Sequence, residues 1–159
     1  MISYTVAQVH KEPGETIASF AEAITPRNRL IACTHASNAF GLRVPIEEIG
    51  ELAHSRDILF MVDAAQTAGV LEIDMKKQNI DFLCMAGHKG LYGPSGTGML
   101  ITPFGLYLHP LMEGGTGSDS ANYGMPEIVP DRLECGTVNT MGIIGLGAGL
   151  AFVKERGIK

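Results

Sequence analysis

Residues 80–100 read IDFLCMAGHKGLYGPSGTGML and hold the pattern that decides the fold. An apolar run at 82–86 is followed by a glycine, His88 and Lys89, then by a glycine-rich segment and a second apolar run at 99–102. Short apolar runs bounded by glycine predict buried β-strands, because a helix usually needs about ten or more residues. Lys89 is therefore expected just past the carboxyl end of a strand, where open α/β sheets bind their ligands.

A lysine at such a position is either a solvated surface cation or a functional amine in a partly dry pocket. Burial disfavours the charged ammonium, and the neutral amine is the form that makes a Schiff base with a carbonyl compound. Taken alone, Lys89 fits a surface cation better, since most lysines are solvated. The choice between the two depends on the rest of the chain.

Strand and helix patterns alternate along the 159-residue chain. Strands are predicted at 2–9, 30–33, 58–62, 70–73, 82–86 and 99–102. Helices are predicted at 17–24, 45–53, 74–78 and 139–157. The central strands are continuously apolar, which is typical of a parallel sheet covered by helices on both faces. The sequence therefore predicts an α/β fold with three α/β/α layers and a mostly parallel sheet.

The composition indicates a globular protein and argues against several classes of partner. Hydrophobic residues make up 45% and charged residues 18%, and the net charge is −5. An acidic chain without a basic cluster is not expected to bind nucleic acid or an anionic membrane. Three cysteines without paired spacing predict neither disulfides nor a metal site. No signal peptide pattern is visible, and the longest apolar stretch, 141–153, is well short of the ~20 residues that span a bilayer. A cytoplasmic location is expected.

Polar residues follow three consecutive predicted strands, and the ends of parallel strands lie along one edge of a sheet. These residues are His35, Ser37 and Asn38, then Asp63 and Gln66, then His88 and Lys89. Asp63 directly follows the apolar run ILFMV, where a carboxylate is costly unless a cation or proton donor meets it. A protonated heteroaromatic nitrogen or Lys89 would serve, although Asp63 could also cap a following helix. Individually, Gln66 fits a solvated loop residue and Asn38 a turn former.

Five motifs together resemble the class V aminotransferase and cysteine desulfurase family. The motifs are THASNAFG, VDAAQTAG, AGHKGLYGPSGTG, GGTGS and ECGTVN, and they occur in the family's order. Members of this family are fold type I enzymes that depend on pyridoxal 5′-phosphate. The resemblance implies that Lys89 is the catalytic residue and forms the Schiff base with this cofactor. It further implies that Asp63 pairs with the pyridinium nitrogen, which keeps the ring an electron sink, and that Gln66 binds the phenolic oxygen.

The resemblance also implies roles for three residues outside this group. His88 would help to hold the cofactor phosphate, and Asn38 lies where the family contacts cofactor or substrate. Thr116, in GGTGS, matches the loop that reaches the phosphate of the other subunit in the family's homodimer. Ala86 is a departure, because desulfurases often carry serine or threonine there as a phosphate ligand.

The resemblance covers residues 1–159 as a partial large, cofactor-binding domain. Family members are about twice this length or more, so the N-terminal segment and the C-terminal small domain are expected to be absent. The implied parent activity converts L-cysteine to L-alanine and leaves sulfur as a persulfide on a cysteine outside this chain, for a possible acceptor protein. The fragment alone is expected to be inactive.

Three other functions remain open at this stage. A selenocysteine lyase or an aminotransferase of class V would share Lys89 and Asp63. A non-catalytic structural fragment would bind the cofactor weakly or not at all. A dinucleotide-binding domain fits poorly, because no G-x-G-x-x-G turn follows the first strand.

Overall fold

The computed structural model describes residues 2–118 and 121–158. Its helices are α1 (Pro13–Ala23), α2 (Ile46–His54) and α3 (Thr140–Arg156), and its strands are β1 (Leu30–Thr34), β2 (Leu59–Asp63), β3 (Phe82–Ala86) and β4 (Gly98–Ile101). Two short 3₁₀ turns occur at Gly105–Tyr107 and Asp131–Leu133. No helix within the described residues is both long enough and apolar enough for a bilayer crossing.

The four strands form one sheet in the order β1-β2-β3-β4. The pairs β1–β2 and β2–β3 are parallel, and β3–β4 is antiparallel. This confirms the predicted α/β fold with a mostly parallel sheet. The predicted bounds of these four strands are within one residue of the observed ones.

The main core lies on one face of the sheet. Phe60 and Val62 of β2 are fully buried there and meet Ile46 and Ile49 of α2 in one apolar cluster. Leu59, between Ile58 and Phe60 of the core, points to the opposite face and is 40% exposed. The alternation follows from the period of two in a strand. Helices α1 and α2 contact each other, and α2 packs against β2.

Helix α3 packs against the segment that joins β3 to β4. Its buried side is formed by Gly142, Leu146, Gly149 and Val153. Asn139 caps the helix, because its side-chain oxygen accepts a hydrogen bond from the Gly142 N–H at 3.0 Å. Gly157 ends it with a positive φ of 78°. The sequence predicts Asn139 or Thr140 as the cap and Gly157 as the end of this helix, and the structure confirms Asn139 as the cap and Gly157 as the end.

The predicted strand at 2–9 is wrong. The segment runs extended beside α1, where the Gln8 N–H donates to the Ser19 hydroxyl and the His10 N–H to the Thr16 hydroxyl. Residues 5–7 and residues 30–32 of β1 line a common cavity of about 270 Å³. Residues 2–9 therefore lie near β1 but are not part of the four-stranded sheet.

The predicted strand at 70–73 and helix at 74–78 are also wrong. The Val70 and Leu71 N–H groups both donate to the Thr67 carbonyl, which bends the chain instead of extending it. Asp74 then accepts hydrogen bonds from the backbone of Lys76 and Lys77. Asp74 thus caps a single helical turn, in which the Gln78 N–H donates to its carbonyl, and Asn79, with a positive φ of 52°, ends that turn before a helix forms.

Candidate functional site

Three parallel strand ends meet at one edge of the sheet. Thr34, Asp63 and Cys84 are neighbours in the strand register. Past them, the His35 N–H donates to the Asp63 carbonyl oxygen and the Ala64 N–H donates to the Cys84 carbonyl oxygen, both at 2.8 Å. The segments that follow β1, β2 and β3 therefore leave the sheet side by side.

The turn after β2 presents Asp63 and Gln66 on its open side. Asp63 Oδ1 accepts a hydrogen bond from the Ala65 N–H at 2.9 Å, which fixes the start of the turn. Asp63 is exposed and Gln66 is half-buried. The opposite side of the turn is buried and is formed by Ala64, Thr67 and Ala68. Because Asp63 and Gln66 are more accessible than Ala64, Thr67 and Ala68, they lie on the open side of the turn.

The turn after β3 exposes His88 and Lys89. The Gly93 N–H donates to the Gly87 carbonyl at 2.8 Å, and the Tyr92 N–H donates to the Lys89 carbonyl at 3.0 Å. Tyr92 has a positive φ of 56°. This tight loop turns the chain back on itself, which leaves both side chains at its tip in solvent.

The two turns pack against each other backbone to backbone. A Cβ added to Gly90 would lie 2.4 Å from the Ala68 carbonyl oxygen, and one added to Gly69 would lie 2.2 Å from the Gly90 carbonyl oxygen. Only glycine permits this approach, and it holds the Lys89 turn beside the Asp63 turn. Within the described ranges, Asp63 and Lys89 form no ion pair with each other.

Asn38 belongs to a compact turn at the same edge. The Ser37 hydroxyl accepts from the Ala39 and Phe40 N–H groups at 3.2 and 3.1 Å. The Gly41 N–H donates to the Ser37 carbonyl at 3.1 Å. Asn38 is exposed at the tip of this turn. Its position is that of a turn-forming residue, and the turn lies at the same edge of the sheet as Asp63.

Thr116 is tied to a different part of the chain. It forms a parallel bridge with Gly136, and the Gly136 N–H donates to the Gly115 carbonyl at 2.8 Å. Thr116 Oγ1 lies 3.1 Å from Ser118 Oγ, and the Ser118 hydroxyl donates to the Asp131 carboxylate. The motifs GGTGS and ECGTVN are therefore neighbours in space. The structure groups Asn38, Asp63, Gln66, His88 and Lys89 at the sheet edge and joins Thr116 to the Gly136 segment instead.

The Asp63 carboxylate acts on thiols in both neighbouring strands. Burial raises the pKa of the Cys33 thiol to about 12, and the Asp63 charge adds to that rise. The same two causes, burial first, raise the pKa of Cys84. Both thiols are therefore held protonated, which makes them poor nucleophiles.

His35 differs from the other polar residues at the strand ends. Its side chain is fully buried on the core side, and burial lowers its pKa, with the Arg43 charge as the next cause. Thr67, also buried, was not singled out by its sequence. The sequence spacing carries a signal for the burial of both residues. His35 continues the core-facing register of Cys33, and Thr67 lies three residues after the buried Ala64.

The sequence matches the model of the family described as aminotransferase class-V over residues 3–159. The chain therefore belongs to the class V aminotransferase family.

The individual relatives are cysteine desulfurases. The chain is 42% identical over 135 residues to a probable cysteine desulfurase of Pyrococcus abyssi, a match that covers 82% of this chain and 33% of the relative. It is 41% identical over 138 residues to the cysteine desulfurase of Escherichia coli O157:H7, and this match covers 83% of this chain and 34% of the relative. The chain thus spans about a third of the length of these relatives, and the family resemblance of its motifs is confirmed.

Solved structures give the same result for the fold. The apo cysteine desulfurase of Thermococcus onnurineus NA1 superposes with a TM-score of 0.74 at 37% identity, covering 89% of this chain and 36% of that one. SspA, solved in complex with cysteine, superposes with a TM-score of 0.71 at 36% identity. This superposition covers 85% of this chain and 36% of SspA. The α/β fold is thus that of cysteine desulfurases of fold type I.

Proposed function

We propose that this chain forms the cofactor-binding part of a pyridoxal 5′-phosphate-dependent cysteine desulfurase. The observation that carries the proposal is the exposed amine of Lys89 beside the Asp63 turn, in a chain similar to named cysteine desulfurases over most of its length. The substrate would be a small amino acid, L-cysteine. One solved neighbour, SspA, was determined in complex with cysteine.

The residues at the sheet edge fit the chemistry of this cofactor. An aldehyde requires an accessible amine, and Lys89 is exposed and free of ion pairs among the described residues. A protonated ring nitrogen requires a carboxylate, and Asp63 is exposed on the same side of its turn as Gln66. His88 would contribute to holding the phosphate and Asn38 would contact cofactor or substrate, whereas Ala86 has no hydroxyl to offer.

The chain's own residues would then perform the positioning and the proton transfer. When bound, pyridoxal phosphate supplies an electron sink for the bond that breaks at the substrate. The Asp63 charge would favour the protonated ring nitrogen. The Lys89 amine would move a proton at the substrate α-carbon as a general base. The substrate and an enzyme thiol would become L-alanine and a persulfide, so that sulfur passes from carbon to sulfur without an external oxidant.

The accepting thiol is proposed to belong to a cysteine outside this chain, as the family resemblance implies. Cys33 and Cys84 are held protonated, as their raised pKa values indicate. By the same family likeness we propose a homodimer, in which Thr116 reaches the partner's phosphate, a sulfur-acceptor protein and a cytoplasmic location.

Trapping the cofactor on its lysine tests the proposal. The purified chain is incubated with pyridoxal phosphate and reduced with borohydride, and modified lysines are located by peptide mass spectrometry. We expect modification concentrated on Lys89, and loss of that signal in Lys89→Arg. The matched control Lys76→Arg, at another exposed lysine, should leave trapping unchanged. Asp63→Asn should weaken cofactor binding about tenfold, since a charge-assisted contact is lost. Equal trapping on all surface lysines would contradict the proposal.

A further inference from the structure

Two buried polar side chains lie beneath the candidate site without a hydrogen-bond partner. His35 is 0% exposed and Thr67 is 3% exposed. Within the described part of the chain, His35 Nδ1 and Nε2 and Thr67 Oγ1 are the buried side-chain atoms that have none. Unpaired buried groups are rare in native proteins because each is costly, so such a group calls for an explanation.

Both side chains lie on the core side of the Asp63 turn. The His35 N–H donates to the Asp63 carbonyl at 2.8 Å, so His35 lies beside the first residue of the turn. Cys33 packs against the core, and the strand period of two directs His35 to that side as well. Thr67 shares the buried side of the turn with Ala64, and its own N–H donates to the Ala64 carbonyl at 3.0 Å.

The two groups are chemically complementary. Burial, followed by the Arg43 charge, lowers the His35 pKa, while Glu47 opposes this. The imidazole is therefore neutral near neutral pH, with one nitrogen as donor and the other as acceptor. A threonine hydroxyl both donates and accepts, so it can satisfy either tautomer.

We propose that His35 and Thr67 are linked through one internal water, which hydrogen-bonds to both, and that this buried pair positions the Asp63–Gln66 turn. The pair holds the core side of the turn whose open side presents Asp63 and Gln66. His35 and Thr67 are thus positioning residues. Their effect on the cofactor rests on the proposed function, but the link between the two does not.

A double-mutant cycle on stability tests the link. Thr67→Val and His35→Phe remove the polar atoms with little change in shape, and unfolding in urea is measured for both and for the double variant. Each single change should lower the folded-to-unfolded ratio about 5- to 30-fold. The double variant should be less destabilised than the product of the two by about tenfold, or about 1.4 kcal/mol. Thr67→Ser keeps the hydroxyl and should lose less.

A second buried threonine provides the control. Thr16 is 0% exposed, and its hydroxyl already accepts from the His10 N–H. Thr16→Val and His35→Phe should therefore be additive. Additivity of Thr67→Val with His35→Phe would overturn the link. ¹⁵N NMR of the imidazole adds a readout for chains too unstable for the cycle: Thr67→Val should change the tautomer ratio of His35 in the folded chain, and an unchanged ratio would also overturn the link.

The positioning claim has its own readout. Chains that carry the cofactor are titrated with acid and base, and the visible absorbance band of the Lys89 adduct is followed as a function of pH. The temperature is kept well below that of unfolding. Thr67→Val should shift the midpoint by about half a pH unit or more, and Thr67→Ser should restore it. An unchanged midpoint would overturn the positioning role. If the unaltered chain traps no cofactor, the proposed function fails, and the stability cycle still decides the pair.

Discussion

At the scale of single residues, Asp63 has an unusual position between two thiols. It ends β2 next to β1 and β3, and its charge acts on Cys33 and Cys84. An uncompensated carboxylate at this edge stabilises a cation or a protonated ring nearby and suppresses thiolate formation beside it. The carboxylate that we propose for cofactor binding therefore also adds to the burial that keeps the neighbouring thiols protonated.

Cys33 should be unreactive in the folded chain. With a pKa raised to about 12, chiefly by burial, its thiolate fraction near pH 8 is very small. We expect iodoacetamide to label Cys33 about a hundredfold or more slowly than in urea, as measured by peptide mass spectrometry. The same shift should lower the free energy of unfolding as the pH rises above about 8.5, because the unfolded thiol ionises first. Equal labelling rates in buffer and in urea would contradict the assignment.

Which site residues the sequence reveals depends on where they sit in the chain. Lys89 and Asp63 each follow a continuous apolar run, so their approach at one edge could be predicted from the parallel-sheet pattern. The burial of His35 and Thr67 is harder to predict, because their spacing from Cys33 and Ala64 indicates a side of the turn but not how the turn after β2 packs on the core. The pairing of Thr116 with Gly136 joins residues twenty apart across a loop whose path no periodicity indicates.

At the scale of elements, α3 shows how glycine spacing determines packing. A Cβ on Gly149 would lie 2.3 Å from the Leu91 carbonyl oxygen, and one on Gly145 would lie 2.8 Å from a Pro94 side-chain carbon. Gly147, on another side of the helix, would meet nothing within 4 Å. The spacing of Gly142, Gly145 and Gly149 predicts that they share one face of this helix, and the structure shows what that face packs against.

Two glycine substitutions in α3 should therefore have opposite effects. Gly149→Ala should lower the free energy of unfolding by about 1–3 kcal/mol, because a backbone oxygen cannot move aside as a side chain can. Gly147→Ala should raise it by about 0.5–1 kcal/mol, since alanine is the better helix former. Urea unfolding of both variants measures the difference. A Gly149→Ala chain as stable as Gly147→Ala would contradict the close contact with Leu91.

The strand predicted at 2–9 is wrong because a strand depends on a partner distant in sequence. The segment alternates like a strand, but the observed sheet contains only β1, β2, β3 and β4 among the described residues. The four observed strands are apolar enough to be buried and therefore could be predicted from local composition alone. Alternation in a short segment does not determine whether a partner lies beside it.

At the scale of the whole molecule, apolar surface remains exposed on two sides. On the sheet, Leu30, Leu59 and Leu100 are all 40% exposed or more. On α3, Met141 is 81% and Ile144 is 64% exposed, although helices that are apolar on every side are usually buried. A chain that spans about a third of its relatives' length leaves these faces uncovered when it is alone.

Self-association of the isolated chain is the expected consequence, because contiguous exposed apolar patches are uncommon on monomers. Sedimentation velocity over a range of concentrations should show dimers or larger species. Ile144→Lys places a charge in the exposed stripe of α3 and should shift the distribution towards monomer. Leu111→Lys, in a loop and even more exposed, should not. Because both variants remove one apolar side chain and add one positive charge, a difference between them identifies the α3 face as a contact. A single monomeric species at every concentration would contradict this role for the exposed surface.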